Sequence, residues 1–254
     1  MRSKHIFLIS IILVFIFCSC SSKKNIVLLQ DVNSSNVYNN VYEYYEVKVD
    51  DILKITSVND DIEVLSEINL SLPSNITTKE MLEYYGYMVD VNGEITYPPL
   101  GKVYVKGLTI DQVSETLSKK LLDSGIYNNP LLDVKLINGS FTIIGEVNIP
   151  GKYDFLKNNL NIFEAIGIAG GLTINGKRND IKIIREENES KKISIINLTN
   201  TKIFDSKYFQ IIPGDVIIVN PNTNRIKNAG IIGNSGTLLS LLSFILSSII
   251  VINN

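Results

Sequence analysis

The stretch that most constrains the fold is residues 141–171, FTIIGEVNIPGKYDFLKNNLNIFEAIGIAGG. Phe141–Val147 has the apolar content of a strand, and Gly145 sits inside it. Pro150-Gly151 is a type II turn candidate, because Pro fixes φ and Gly supplies a positive φ. Asn161 is placed to cap a helix over Ile162–Ile168, with Glu164 at the reciprocal capping position. Ala169-Gly170-Gly171 then ends the helix through a left-handed glycine. A chain that must run strand, turn, strand, loop, short helix and glycine stop builds a small β-rich module. Downstream, Asp180–Glu186, Ile193–Asn197 and Val216–Val219 read as further strands, the last entered through the turn Pro213-Gly214-Asp215.

A second unit precedes this one. Tyr42–Val58 alternates loosely and suggests two short strands hinged at Val49-Asp50-Asp51. Ser71–Lys79 is a polar loop around Pro73. Tyr87–Tyr97 reads as a β-hairpin turning on Asn92-Gly93, where both positions tolerate positive φ. Pro98 to Gly101 breaks the strand, which restarts at Val103. Thr109 and Gln112 form a capping box, Ile110, Val113, Leu117 and Leu121 the apolar stripe of a helix, and Gly125 its stop. Pro130–Ile137 returns as a strand. The acidic pairs Asp50-Asp51 and Asp60-Asp61 read as solvated turns rather than metal or paired-carboxylate sites. The fold class expected is α+β, with two small β-rich domains.

The N-terminus has the form of a secretory signal. Arg2 and Lys4 precede the apolar run Ile6–Phe17, which is short for a membrane span. The segment Phe17-Cys18-Ser19-Cys20-Ser21-Ser22 resembles a bacterial lipobox, with Cys20 as the lipid acceptor and Ser21-Ser22 resembling an outer-membrane sorting context. Loss of Arg2 and Lys4 leaves 22 basic against 26 acidic residues, a net charge of −4. Such a balance argues against nucleic-acid binding, which needs a basic patch. The single His is His5, and the two Cys are Cys18 and Cys20. A processed chain then holds no disulfide, no His-based triad and no His or Cys metal site, so neither catalysis, metal nor cofactor is expected.

After Lys227 the chain carries no charge, and Ser235–Ile252 is rich in Leu, Ile and Ser. Its 18 residues rise about 27 Å as a helix, against a hydrocarbon layer of about 30 Å. Gly236, Ser240, Ser243 and Ser247 fall on one narrow stripe, flanked by Thr237 and Ser248. Three readings are open: close packing of membrane helices on the small-residue face, a weakly polar lining of a water-filled lumen, or a buried core helix.

Over residues 41–220 the ordered series of motifs resembles the bacterial outer-membrane polysaccharide export lipoproteins, the capsule and exopolysaccharide translocon family. Tyr87–Asp90, Gly93, Ile95, Pro98 to Gly101, Gly107-Leu108-Thr109 and Asn129-Pro130 match the pattern of its export domain. Gly145-Glu146-Val147, Pro150-Gly151-Lys152-Tyr153, Glu164-Ala165-Ile166, Ala169-Gly170-Gly171 and Pro213-Gly214-Asp215 match its soluble-ligand-binding β-grasp (SLBB) module. The family's first turn is usually Pro-Gly-Asp, and here it is Val49-Asp50-Asp51.

The resemblance implies a signal peptide over 1–19, a tether over 20–40, an export domain over 41–138, one SLBB domain over 139–220, a linker over 221–234 and a membrane-spanning helix over 235–252. It further implies a homo-oligomeric conduit in the outer membrane, anchored by lipid, with periplasmic domains. The implied partners are polysaccharide in transit, outer-membrane lipid and an inner-membrane polysaccharide co-polymerase. The competing reading is a lipid-anchored β-grasp module that binds a glycan or an envelope protein and forms no pore. A hydrolase is the third class, but no Asp/Glu pair is marked for it.

Overall fold

The computed structural model describes residues 26–32, 44–57, 86–98, 100–125, 127, 129–154, 159–187, 190–222 and 235–252. The signal segment, Cys20, Asp60-Asp61, Ser71–Lys79 and most of the expected linker lie outside the described residues.

The first unit contains β1 (Ile52–Ser57), β2 (Tyr87–Met88), β3 (Glu94–Tyr97), β4 (Gly101–Tyr104), α1 (Ile110–Asp123) and β5 (Leu132–Leu136). β1 is central in an antiparallel sheet of order β2-β1-β5, and β3 pairs with β4. α1 begins where Thr109 and Gln112 exchange hydrogen bonds, Gln112 N to Thr109 Oγ1 at 3.2 Å and Thr109 N to Gln112 Oε1 at 2.9 Å. Val113, Leu117 and Leu121 bury its inner face against Leu53, Ile55, Ile95 and Val134. Each buried side chain is worth roughly 1.5–3 kcal/mol, whereas a cap contributes about 1 kcal/mol. Packing therefore holds the helix, and the cap sets where it starts.

Both expected turns form, but the strand pairs expected to flank them do not. Residues 44–48 do not pair with β1. They cross the entry to α1 through the bridge Glu46–Thr109 and the bonds Val47 N to Leu108 O and Gly107 N to Val47 O, both 2.9 Å. Nor do β2 and β3 form a ladder, although the Asn92-Gly93 turn is closed by Gly93 N to Asp90 O and Asp90 N to Glu94 O, both 2.8 Å, with Gly93 at φ +81°. The Asp90 carboxylate accepts the amides of Asn92 and Glu94, each at 2.9 Å, and the Gly93 carbonyl accepts those of Val105 and Lys106. This wider turn hands β3 to β4 and leaves β2 to β1.

The second unit contains β6 (Ser140–Gly145), β7 (Gly151–Asp154), β8 (Leu160–Asn161), α2 (Ile162–Ile168), β9 (Gly176–Glu187), β10 (Ser190–Ile196), β11 (Gln210–Ile211) and β12 (Val216–Pro221). Its sheet has the order β10-β9-β12-β6-β7, with β12 parallel to β6 and the other pairs antiparallel. α2 carries the expected box, with Glu164 N donating to Asn161 Oδ1 and Asn161 N to Glu164 Oε2, both 3.0 Å. It buries Ile162, Ala165 and Ile166 on the core face of the sheet.

The joint between the units is short and hydrogen-bonded. Ile137 N donates to Ile52 O at 2.9 Å. The Asn138 amide accepts from Ile52 N at 3.0 Å and donates to Asp50 O at 2.8 Å. Lys48 Nζ also reaches Glu186 O on β9, at 3.2 Å.

Residues 26–32, within the expected tether over 20–40, lie docked on the second unit. Leu29 N donates to Leu198 O at 3.0 Å and Gln30 N to Thr199 O at 2.7 Å, while the Asp31 carboxylate accepts from Thr201 N and Oγ1. Leu29, the last residue of the apolar run Ile26–Leu29, packs on the core.

At the C-terminus, α3 (Ser235–Ile252) is one helix of 18 residues. Among the described residues, however, no helix is long and apolar enough to cross a membrane. The expected spanning helix is thus not supported by the fold.

Candidate functional site

Two buried carboxylates hold turns. Asp215, with a fully buried side chain, receives Arg185 Nε at 2.9 Å and Arg185 Nη2 at 2.7 Å, and also accepts Ile212 N at 3.0 Å. The guanidinium reaches Gln210 O at 2.6 Å and lies 5.0 Å from the Tyr208 ring centre. Burial pushes the Asp215 carboxyl up, and the Arg185 bonds oppose that shift. Asp51 accepts the Tyr45 hydroxyl at 2.8 Å and Lys48 N at 2.7 Å. Burial raises this carboxyl too, and burial beside it pushes the Tyr45 phenol far up. A shifted buried carboxyl is often a catalytic candidate. Here the neighbours assign both to holding backbone: each binds the amide preceding its own turn. Sequence reasoning missed Arg185 and Tyr45; an Arg among strand residues, 30 positions before a turn Asp, is no local signal.

The glycines read as turn-forming fall into two groups. Gly93, Gly101, Gly145, Gly170, Gly171 and Gly214 have positive φ. Gly151 does not; it opens β7 in register with Ile143, so Pro150-Gly151 is not the type II turn expected. The left-handed position lies earlier, at Gly145, φ +92°, where a Cβ would come within 2.1 Å of the Val219 carbonyl oxygen. The chain reverses through Glu146–Pro150 instead, because β12 lies too close at Gly145 for any side chain.

Gly170 and Gly171 meet this reversal. Asn148 N donates to Gly171 O at 3.0 Å, Asn148 Nδ2 to Gly170 O at 2.7 Å and Ile149 N to Ala169 O at 2.9 Å. Thr173 Oγ1 donates to Glu146 Oε2 at 2.6 Å. Thus Pro150, Gly170 and Gly171 share one end of the second unit, while Pro213, Gly214 and Asp215 share the other, where Gly214 N donates to Ser140 O at 2.8 Å.

On α3, Gly236, Ser240, Ser243 and Ser247 are all exposed. Ser243 Oγ donates to Ser240 O at 2.9 Å, and Ser247 Oγ and Ser248 Oγ donate to Phe244 O at 3.2 and 2.8 Å. These hydroxyls turn back onto their own helix, which lowers the polarity of the stripe. Leu239, Leu241, Phe244 and Ile245 are exposed beside them. Among the tyrosines, Tyr104 is exposed and Tyr127 packs partly on the first core, while Tyr84 and Tyr85 lie outside the described residues. Among the described residues, no three His, Cys, Asp or Glu side chains cluster to hold a metal ion.

Comparison with known families assigns both units. Residues 39–137 match the family described as polysaccharide biosynthesis/export protein, and residues 140–195 match the SLBB domain. The second match stops before β11 and β12, yet β12 is central in the same sheet, so the folded unit extends to Pro221. Proteins of these two families are generally non-enzymatic. With both matches in this order along one chain, the protein belongs to the polysaccharide export family and carries one SLBB domain after its export domain.

Proposed function

We propose that the chain is a subunit of an oligomeric outer-membrane conduit that passes capsular or exopolysaccharide without chemical change. The observation that carries this reading is the order of parts: an export domain, one SLBB domain, then an uncharged C-terminal region whose helix leaves Leu239, Leu241, Phe244 and Ile245 exposed. An isolated chain offers those side chains only water, whereas lipid or neighbouring copies of α3 would cover them. The hydroxyl-satisfied Ser stripe suits close helix approach, with Gly236, Ser240, Ser243 and Ser247 facing a neighbouring helix. Lipid on Cys20 anchors the chain, the two domains lie in the periplasm, and an inner-membrane co-polymerase delivers the polymer.

Removal of residues 234–254 tests the reading. The truncated chain retains both folded cores and loses export, measured as polysaccharide at the cell surface. Surface polysaccharide at wild-type level would overturn the role of α3. Mass in detergent separates the conduit from a simple binding module: the conduit is a discrete high-order oligomer, and a glycan-binding monomer would sink it.

A further inference from the structure

The two ends of the second unit differ in what attaches to them. One end is defined by the pairs Ser140–Asp154 and Ser190–Glu187, and here the first unit attaches, through the joint before Ser140 and the bond from Lys48 to Glu186 O. The opposite end is defined by the pairs Ile143–Gly151 and Pro221–Gly176 and by the bond from Leu198 N to Arg178 O at 2.8 Å. β9, with 12 residues, runs between them, a span of about 35 Å.

At this far end the loops present isoleucine to solvent. Ile149 is 60% exposed, Ile174 is 66% exposed, and Ile168 at the close of α2 is also exposed. The docked N-terminal segment adds Ile26, Val27 and Leu28, exposed beside Leu198. This display is not slack chain. Ile149 is held by its bond to Ala169 O and by the Asn148 bonds to Gly170 and Gly171, and Ile174 O accepts from Asn222 Nδ2 at 3.3 Å.

Both chain directions bound for lipid in the proposed conduit leave from this same end. Asn222 N donates to Asn175 O at 2.6 Å, beside Ile174, and 12 residues follow before α3. Cys20 precedes Ile26 by six residues, a reach of about 20 Å at most.

We infer that the far end of the SLBB domain, with Ile149 and Ile174 at its tip, is a lipid-contacting foot that rests in the membrane interface. The occupant is the headgroup and upper acyl layer of the bilayer, since both lipid-directed segments start here and the export domain is held at the other end. Aliphatic side chains on a fixed loop enter that layer by about 5–10 Å, as an amphipathic surface helix does. The inference rests on the conduit reading, in which lipid on Cys20 holds the chain at the same membrane that the exposed apolar side chains of α3 meet.

The test uses the full chain reconstituted in phosphatidylethanolamine/phosphatidylglycerol vesicles. Single cysteines replace Ile149, Ile174, Asp205 or Leu241, each labelled with an environment-sensitive fluorophore. The wild-type chain, in which the signal peptide takes Cys18 and lipid occupies the Cys20 sulfur, is labelled in parallel as the background. Ile149→Cys and Ile174→Cys are at exposed sites, and unchanged thermal midpoints verify their folding. Lipids with a nitroxide in the headgroup or upper acyl chain should quench labels at 149 and 174, leave the label at 205 bright, and quench the label at 241. Quenching at 241 without quenching at 149 and 174 overturns the foot and leaves the conduit standing. Quenching at none of these sites overturns both. Quenching at 149 and 174 but not at 241 keeps the foot and removes α3 from the bilayer. Labels at 149 and 174 that quench one another between copies, yet not with nitroxide lipid, mark a subunit contact and overturn the foot.

Discussion

Val49-Asp50-Asp51 leads into β1 and Pro213-Gly214-Asp215 leads into β12, and the two turns share one hydrogen-bond plan. In each, the closing Asp accepts the amide of the residue before the turn, Lys48 N at 2.7 Å or Ile212 N at 3.0 Å. Each Asp also donates its own amide to that residue's carbonyl, at 3.3 and 3.2 Å, and the middle residue has φ +69° or +88°. The settings differ. Asp215 sits against a buried guanidinium in the second core, whereas Asp51 meets a phenol at the joint between units. Asp is the residue whose side chain closes both turns. Pro and Gly ease the turn backbone, and the partner of the carboxylate is chosen by each domain.

The largest effect should come from breaking the charged partner. Arg185→Met strands a buried carboxylate and should cost about 3–5 kcal/mol, read as the loss in a denaturant-unfolding midpoint of the second unit. If the loss is under about 1 kcal/mol, the ion pair is dispensable and the two turns are held alike. Asp51→Ala, which takes the acceptor from Lys48 N and Tyr45 Oη, should cost less, about 1–3 kcal/mol.

Asp51 also predicts a pH signature. Its folded carboxyl is raised, so the folded chain holds the proton more readily than the unfolded one. Its contribution to stability is fully present below the ordinary carboxylate range and is lost as pH rises through the raised value. Between that range and neutrality, the thermal midpoint of the wild type should therefore fall more steeply with rising pH than that of Asp51→Asn. Parallel profiles would remove the assigned burial effect.

The smallest effect comes from exchanging the middle residues. No atom lies within 4 Å of a Cβ built on Gly214, so Gly214→Asp should cost only the left-handed backbone, about 1–2 kcal/mol. Asp50→Gly should be neutral to slightly stabilising in the same melt. A larger loss at position 214 would mean that the two turns are not interchangeable.

The contrast also explains what was legible from residues alone. α1 and α2 were, because their capping boxes and apolar stripes act within four residues. Strand partners were not. The turn at Asn92-Gly93 formed where its residues placed it, but β2 laddered with β1 and β3 with β4, and Val105 and Lys106 beyond the next strand bond the Gly93 carbonyl. Gly151 looked like the turn residue because Pro precedes it, while the pressure that demands glycine acts at Gly145 from Val219, 74 positions away in sequence. The docking of Leu29 and Asp31 on the second unit depends on Leu198, Thr199 and Thr201, again far along the chain. The motif order nevertheless identified the family, since it samples the whole chain rather than any one contact.

The joint at Ile137–Gly139 has a mechanical consequence. Asn138 is bonded to both sides of Asp51 and only three residues separate β5 from β6, so the SLBB sheet starts from a point fastened to the export domain. Force applied to the export domain would reach the SLBB sheet as a bending moment carried by these few amides.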